Sequence, residues 1–73
     1  MTKTFDDLYP NIAWWADGGG WIELGRDDYS RSLIRVLDIG GLLWEGDEQY
    51  PAIATALDQA EAFIAQWREE NGY

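Results

Sequence analysis

Carboxylates are the side chains of this 73-residue chain most able to do chemistry, since it has 14 Asp and Glu and no His or Cys. Three acidic pairs could in principle hold a metal ion: Asp6-Asp7, Asp27-Asp28 and Asp47-Glu48. A calcium loop needs staggered oxygen ligands and usually a bending glycine, and neither of the last two pairs has that pattern. The pairs are typical of solvated turns. We therefore expect no metal site and no cofactor.

Two glutamates, Glu23 and Glu45, are the best candidates for acid/base catalysis because both fall in predicted strands among aromatic residues. The simpler interpretation is that each is a polar residue on a partly wet sheet face. The hydroxyls of Ser30, Ser32 and Thr55 have no histidine to activate them. Neither glycine cluster has the following helix and lysine of a phosphate loop. The sequence therefore predicts a protein that is not an enzyme.

Binding is the remaining kind of chemistry, and Arg35 is its most suggestive residue. Arg35 interrupts an otherwise apolar strand face, where an unpaired charge is costly. It either reaches the sheet edge or a carboxylate, or it binds an anionic group of a ligand or partner. Trp15 and Trp21 either pack in a crowded dimer core or half-exposed on their strands, or form a flat aromatic platform for a partner or ring-shaped ligand. The candidate binding residues are Trp15, Trp21, Glu23, Arg35, Val36 and Leu43.

The elements that position these residues begin with a short turn and a hairpin. Thr4-Phe5-Asp6-Asp7 has the pattern of a capping box and predicts one helical turn, with Phe5 and Leu8 pointing inward, that Pro10 ends. The segment from Ile12 to Arg26 predicts a hairpin with Gly18-Gly19-Gly20 as its turn. Its strands cover Asn11–Asp17 and Trp21–Arg26. One face would carry Ile12, Trp14, Ala16, Ile22 and Leu24, and the other Ala13, Trp15, Asp17, Trp21 and Glu23.

A polar loop from Arg26 to Arg31 leads to a second predicted hairpin, from Leu33 to Gly46. Gly40-Gly41 suits a two-residue turn. That turn pairs Ile39 with Leu42 and Leu37 with Trp44, which form an apolar face with Leu33. Arg35 lies on that face opposite Gly46. The other face would carry Ile34, Val36, Asp38, Leu43 and Glu45.

One substantial helix is predicted, from about Ala52 or Ala56 to Glu70. Thr55 and Asp58 form a second capping-box pattern, and Asn71-Gly72 predicts a left-handed stop. Arg68 near the end agrees with the helix dipole. The apolar stripe of the helix consists of Leu57, Ala60, Ile64 and Trp67, with Phe63 alongside.

The predicted fold is a single α+β domain over residues 1–73, with a four-stranded antiparallel sheet in the order β-β-β-β-α. One helix covers one face of the sheet. The other face is left uncovered, and we expect a second copy of the chain to cover it, giving a homodimer. That uncovered face carries Trp15, Trp21, Ile34, Val36 and Leu43.

The net charge of −9 argues against direct binding of nucleic acid, which needs clustered Lys and Arg. An acidic protein can dock on a basic protein surface, or the charge simply keeps a tryptophan-rich domain soluble. The start of the chain lacks the pattern of a signal peptide, and no segment has the apolar length of a membrane span. Together with the absence of cysteine, these features predict a cytoplasmic protein without membrane contact.

Two motifs resemble those of a family of short, acidic bacterial proteins, many of them cyanobacterial, for which no activity is known. They are Gly20-Trp21-Ile22-Glu23-Leu24-Gly25 and Leu37-Asp38-Ile39-Gly40-Gly41-Leu42-Leu43-Trp44-Glu45-Gly46. The resemblance extends over both hairpins and the helix. It implies a bacterial cytoplasmic protein and assigns no functional residue.

Two functions remain after these exclusions. The first is a non-enzymatic protein-interaction module of the inhibitor, immunity or adaptor type, which acts through an open aromatic sheet face and an acidic surface. The second is a small-ligand binding or sequestering protein with a pocket at a homodimer interface, in which tryptophans stack on a ring and Arg35 or Arg26 meets an anion. A broad flat surface would favour the first, and a pocket with convergent polar groups the second.

Overall fold

The computed structural model describes residues 3–25 and 31–73. The elements are α1 (Phe5–Leu8), α2 (Pro10–Asp17), β1 (Trp21–Leu24), β2 (Ile34–Asp38), β3 (Gly41–Glu45) and α3 (Ile53–Glu70). The strands form an antiparallel meander in the order β1-β2-β3. The α+β class, the antiparallel sheet and the C-terminal helix are confirmed, but the sheet has three strands and not four. The predicted loop with Asp27-Asp28, and the Arg26 end of the first hairpin, fall in residues 26–30, outside the described residues.

The predicted strand over residues 11–17 is wrong, because this segment is helix α2. Pro10 stands at the first helical turn, where its fixed φ and missing N–H suit a helix start. The Glu61 carboxylate of α3 accepts the backbone N–H groups of Asn11 and Ile12 at 2.9–3.0 Å. Two donors that a helix start leaves unpaired are thus satisfied by a residue about fifty positions away. Gly18 ends the helix.

Helix α1 is the single turn that the sequence predicts. Thr4 accepts from the Asp7 N–H and the Asp7 side chain accepts from the Thr4 N–H, which confirms the capping box. Phe5 and Leu8, expected to point inward, are 49% and 54% exposed. A helix of four residues is too short to bury both side chains once α2 follows directly.

The second hairpin exists, but its register and its inward face differ from the prediction. Leu37 pairs with Leu42, and Asp38 pairs with Gly41. The turn therefore centres on Ile39 and Gly40, and Gly41 takes the left-handed backbone conformation (φ +116°). A bulge then sets Val36 opposite Trp44. The core strand face consists of Ile34 and Val36, not of Leu33 and Leu37.

The reason for the change of face is the charge of Arg35. The predicted pairing placed Arg35 among the residues that the helix should cover. In the structure β2 turns Ile34 and Val36 toward α3, so that Arg35 lies on the opposite sheet face, where it finds polar partners. Val36 is therefore a core residue, and the expectation that it lies on an uncovered face is wrong.

Helix α3 begins at Ile53 with Ala52 as a cap that makes no side-chain hydrogen bond, so the Thr55–Asp58 capping box is wrong. The predicted stop is confirmed, since Gly72 has φ +77°. The buried face of α3 is formed by Ala56, Ala60 and Ile64. The predicted stripe is thus confirmed at its centre, and Leu57, Phe63 and Trp67 pack at its edges.

The core lies between the sheet and the two longer helices, which pack on the same side of it. It consists of Ile12 and Trp15 of α2, Ile34 and Val36 of β2, and Ala56, Ala60 and Ile64 of α3. Trp44 of β3 joins it by stacking on Phe63 of α3, with ring centroids 5.6 Å apart. In the described part of the chain, no helix is long and apolar enough to cross a membrane.

Candidate functional site in an aromatic cleft

A cleft of about 320 Å³ opens between the C-terminal ends of α2 and α3. Four of the seven residues that line it are aromatic, two are glycines and one is acidic. The residues that line it are Trp14, Trp15, Gly18, Gly20, Asp38, Trp67 and Tyr73. It is formed by one chain, without a second copy.

The chain reversal after α3 brings Tyr73 into the wall. The positive φ of Gly72 turns the backbone, and the Tyr73 N–H donates to the Arg68 carbonyl at 2.8 Å. The Tyr73 ring then stacks almost parallel on Trp67, at 5.7 Å and 8°. It also approaches Trp14 at 5.5 Å, which links the ends of the two helices. The predicted helix stop is thus the feature that completes the cleft.

Contacts within the fold hold Trp15 in place in the cleft wall. Its side chain is buried, its indole N–H donates to the Leu37 carbonyl at 2.8 Å, and its ring meets Trp67 edge-on at 5.0 Å. A Cβ on Gly20 would overlap the Trp15 indole ring. The glycine is therefore required for the close approach of β1 to this ring.

Trp14 also takes part in a cation–π contact. The Arg68 guanidinium lies 4.2 Å from the Trp14 ring centroid and donates to Asn11 Oδ1 at 3.0 Å. Asn11 in turn donates to Glu61 at 2.6 Å. The network thus runs from the positive charge of Arg68 through Asn11 to the negative charge of Glu61. Arg68 is not among the residues that line the cleft.

Asp38 is the charged residue of the cleft wall. Its Oδ1 accepts the Gly40 N–H at 2.8 Å, which holds the side chain in the β2–β3 turn. Within the described residues, Asp38 pairs with no Lys or Arg. The wall therefore combines aromatic faces with a carboxylate that no described cation neutralises.

The outer sheet face, opposite the helices, holds three of the six predicted binding residues. Cross-strand pairing sets Glu23, Arg35 and Glu45 in one row and Trp21, Leu37 and Leu42 in the next. Arg35 is buried and donates to Glu23 at 3.1 Å. It also donates to the Ser32 and Gly25 carbonyls at 2.8 and 2.7 Å.

This arrangement agrees with the simpler interpretations of Glu23, Arg35 and Glu45. Arg35 is engaged within the chain, as its simpler interpretation expected, and no anion is needed to pair it. Glu23 also accepts from the Trp21 indole N–H at 3.2 Å, and Glu45 accepts from Ser32 at 3.1 Å. Both glutamates lie on a sheet face and outside the cleft.

The structure does not bring the six predicted residues together. Trp15 lines the cleft, Val36 lies in the core, and Leu43 stands exposed in the bulge of β3. The aromatic platform of Trp15 and Trp21 is therefore wrong, since Trp15 is buried on helix α2 and Trp21 is on the outer sheet face. The described residues contain no cluster of three or more potential metal ligands.

Sequence reasoning missed Trp14, Trp67, Tyr73 and Asp38 as parts of one site. A signal for it was present, because Pro10 and Gly18 bracket an eight-residue segment in the way that a starting proline and a terminal glycine bracket a helix. Ile12 and Trp15 also have helical spacing. No sequence signal brings Asp38 to the ends of the two helices.

No protein-family model, no curated protein and no solved structure matches this chain.

Proposed function

We propose that this protein is a non-enzymatic interaction module that holds a side chain of a protein partner in the aromatic cleft. The cleft is the observation that carries the proposal. Its volume of about 320 Å³ stands at the lower end of the range for ligand pockets. That size suits one side chain or a small head group. Aromatic residues such as those that line the cleft are enriched among the few residues that dominate the binding energy of protein interfaces.

The residue next to the cleft favours a protein partner. Ile39 follows Asp38 directly at the β2–β3 turn and is 99% exposed. A partner that filled the cleft would cover the Ile39 side chain, which a small ligand would leave in water.

The charge of the chain favours a basic partner. The net charge is −9 with only five Lys and Arg, of which Arg35 and Arg68 are engaged within the fold. Electrostatic attraction speeds the encounter with a positively charged surface and disfavours acidic competitors. We expect binding to weaken as salt is added.

A small ligand is the second candidate, and one observation favours it. The cleft is complete within a single chain, so a small molecule could be bound without a partner. This differs from the expected pocket at a homodimer interface. In this case too, the cleft residues would carry the binding.

The proposal is tested by capture of partners from a host lysate with three immobilised proteins: the wild type, Tyr73→Ala and Phe5→Ala. Both variants remove an exposed aromatic ring, but only Tyr73 lines the cleft. We expect a basic protein to be retained by the wild type and by Phe5→Ala, and lost with Tyr73→Ala. Co-purification of a small molecule alone, lost with the same variant, would favour the second candidate. Equal retention by all three proteins would contradict a role for the cleft.

A further inference from the structure

We propose that the cleft recognises an alkylammonium group, supplied by a lysine side chain of the basic partner. This inference rests on the proposed function, since it assumes that the cleft is the binding site, and it adds the chemistry of the bound group. Three features of the wall carry it: the ring faces, the helix ends and Asp38.

The ring faces come first. The wall contains three indoles and one phenol, Trp14, Trp15, Trp67 and Tyr73. The face of an aromatic ring carries partial negative charge and attracts a cation within about 6 Å of its centroid. Arg68 shows this attraction on Trp14 from outside the cleft, at 4.2 Å. The rings also contact one another, since Tyr73 stacks on Trp67 and Trp15 meets Trp67 edge-on, so the ammonium ion and its methylene chain would lie against the ring surface left open to the cleft.

The helix ends add to the field in the same direction. Residues just beyond the C-terminal ends of both helices line the cleft, Gly18 after α2 and Tyr73 after α3. The C-terminus of a helix carries a partial negative charge of about half an elementary charge. Two helix C-termini near one site favour a cation over an anion only weakly here, because carbonyls in the last turn of both helices already accept N–H groups of the residues that follow.

Asp38 supplies the formal negative charge and distinguishes ammonium from guanidinium. A guanidinium ion pairs best with both oxygens of a carboxylate at once. Asp38 already uses Oδ1 to accept the Gly40 N–H, so one oxygen is left without a partner among the described residues. Oδ2 can pair with the compact charge of an ammonium group while Oδ1 keeps the Gly40 N–H, whereas the planar fork of arginine would have to share Oδ1 with that N–H.

The experiment follows the indole N–H signals of ¹⁵N-labelled protein by NMR during titration with n-butylammonium, n-butylguanidinium and butan-1-ol. We expect n-butylammonium to shift the Trp14 and Trp67 signals, assigned with Trp→Phe variants. The affinity of the protein for n-butylammonium should exceed its affinity for butan-1-ol by about tenfold or more. It should exceed the affinity for n-butylguanidinium by a smaller factor. A lysine-containing peptide should bind more tightly than the free amine if a protein supplies the group.

Asp38→Asn is the decisive variant, because its side-chain oxygen can still accept the Gly40 N–H. It should weaken n-butylammonium binding about fivefold to tenfold and leave butan-1-ol binding unchanged. Asp6→Asn, which removes an equal charge from exposed helix α1, should change neither affinity.

The outcomes separate this inference from the proposed function. Equal affinity for the amine and the alcohol, or no effect of Asp38→Asn, would overturn the ammonium site while the capture experiment could still confirm the cleft. A preference for guanidinium would overturn the assignment to lysine. Binding of the free amine but not of the lysine peptide would contradict a protein as its source. If Tyr73→Ala captured the partner as well as the wild type does, the proposed function itself would be overturned.

Discussion

Arg35 shows how the surroundings of a charged side chain give it a structural role. It is 7% exposed, whereas its ion-pair partner Glu23 is 43% exposed. Most of its hydrogen bonds go to Ser32 and to the Gly25 carbonyl, which flank the central strand. Its contribution therefore comes mainly from satisfying buried acceptors and only partly from the exposed ion pair.

Arg35→Met tests whether Arg35 stabilises the fold mainly through the buried acceptors or through the ion pair. The substitution keeps most of the length of the side chain and removes its donors, so the Ser32 and Gly25 carbonyls lose their partner. We expect the free energy of unfolding to fall by about 1–3 kcal/mol. Glu23→Gln keeps an acceptor for Arg35 and should cost less than about 1 kcal/mol. Urea unfolding of both variants measures the difference, and equal losses would show that the ion pair is the larger contribution.

Gly20 is a second residue whose identity is required by a close approach. In Gly20→Ala the new methyl would overlap the Trp15 indole ring and displace it from the Leu37 carbonyl. We expect a loss of roughly 1–3 kcal/mol in the free energy of unfolding. Gly18→Ala is the matched control, since its Cβ would lie 3.5 Å from the nearest atom, an ordinary contact. A Gly20→Ala variant as stable as Gly18→Ala would contradict the tight packing of β1 on Trp15.

At the scale of elements, the start of α2 depends on a side chain of α3. Glu61 accepts the two N–H groups of Asn11 and Ile12, and its negative charge stands at a helix N-terminus, where it is favoured. The Asn11 side chain then connects Glu61 to Arg68. This contact joins the two helices that shape the cleft.

Glu61→Gln should therefore loosen α2 relative to the rest of the fold. The amide keeps one acceptor oxygen and loses the charge, so we expect a cost of about 1–2 kcal/mol. Amide hydrogen exchange should rise most in residues 10–17. Glu69→Gln removes the same charge from an exposed position of α3 and should leave the exchange of α2 unchanged. If both variants behave alike, Glu61 is not the cap of α2.

The hairpin and α3 are joined by the stacked pair of Trp44 and Phe63. Trp44→Ala should remove this contact and lower the free energy of unfolding by about 3–5 kcal/mol. A domain this small has little stability to lose, so the variant should be largely unfolded at room temperature. Leu42→Ala on the same strand, at an exposed position, should cost less than about 1 kcal/mol. Circular dichroism during thermal unfolding compares them, and an unchanged melting temperature for Trp44→Ala would contradict the packing.

At the scale of the whole molecule, the described helices cover one face of the sheet. An open second face agrees with the expectation from the sequence, but its residues differ. Trp21, Leu37 and Leu42 lie in its apolar row, whereas Trp15, Ile34 and Val36 belong to the core. A charge at Val36 would therefore enter the core, and we expect Val36→Glu to unfold the domain rather than to separate a dimer.

Homodimerisation through the outer sheet face stays a prediction. We expect the wild type to sediment as a dimer at micromolar concentration and the dimer to strengthen with added salt, because the net charge of −9 repels like chains. Leu42→Asp should shift it to monomer with the fold intact. Ile39→Asp, which adds the same charge at the turn, should remain dimeric. A wild type that is monomeric at high concentration and high salt would contradict this surface.

Local and periodic signals are enough to predict a large part of the fold. The stripe from Leu57 to Trp67 predicts α3, Gly72 predicts its end, and Thr4 with Asp7 predicts the first turn. These features depend on neighbours within about one or two helical turns, so the sequence alone contains their causes. The absence of histidine and cysteine likewise limits the available chemistry, whatever fold the chain adopts.

Only the tertiary structure decided the inward face of β2 and the cleft, and it selected the helix from 10 to 17 that Pro10 and Gly18 already allow. Two adjacent tryptophans fit a strand or a helix, and α2 forms because Glu61 caps it and the Leu37 carbonyl accepts from Trp15. Which face of β2 points into the core depends on whether Arg35 finds hydrogen-bond acceptors on the other face. The sequence of the strand alone does not show whether such acceptors are present. Asp38 lies beside α2 at the cleft because the carbonyl of the preceding Leu37 accepts the Trp15 indole N–H. These choices depend on contacts between residues far apart in the chain, and local propensity is too weak to determine them.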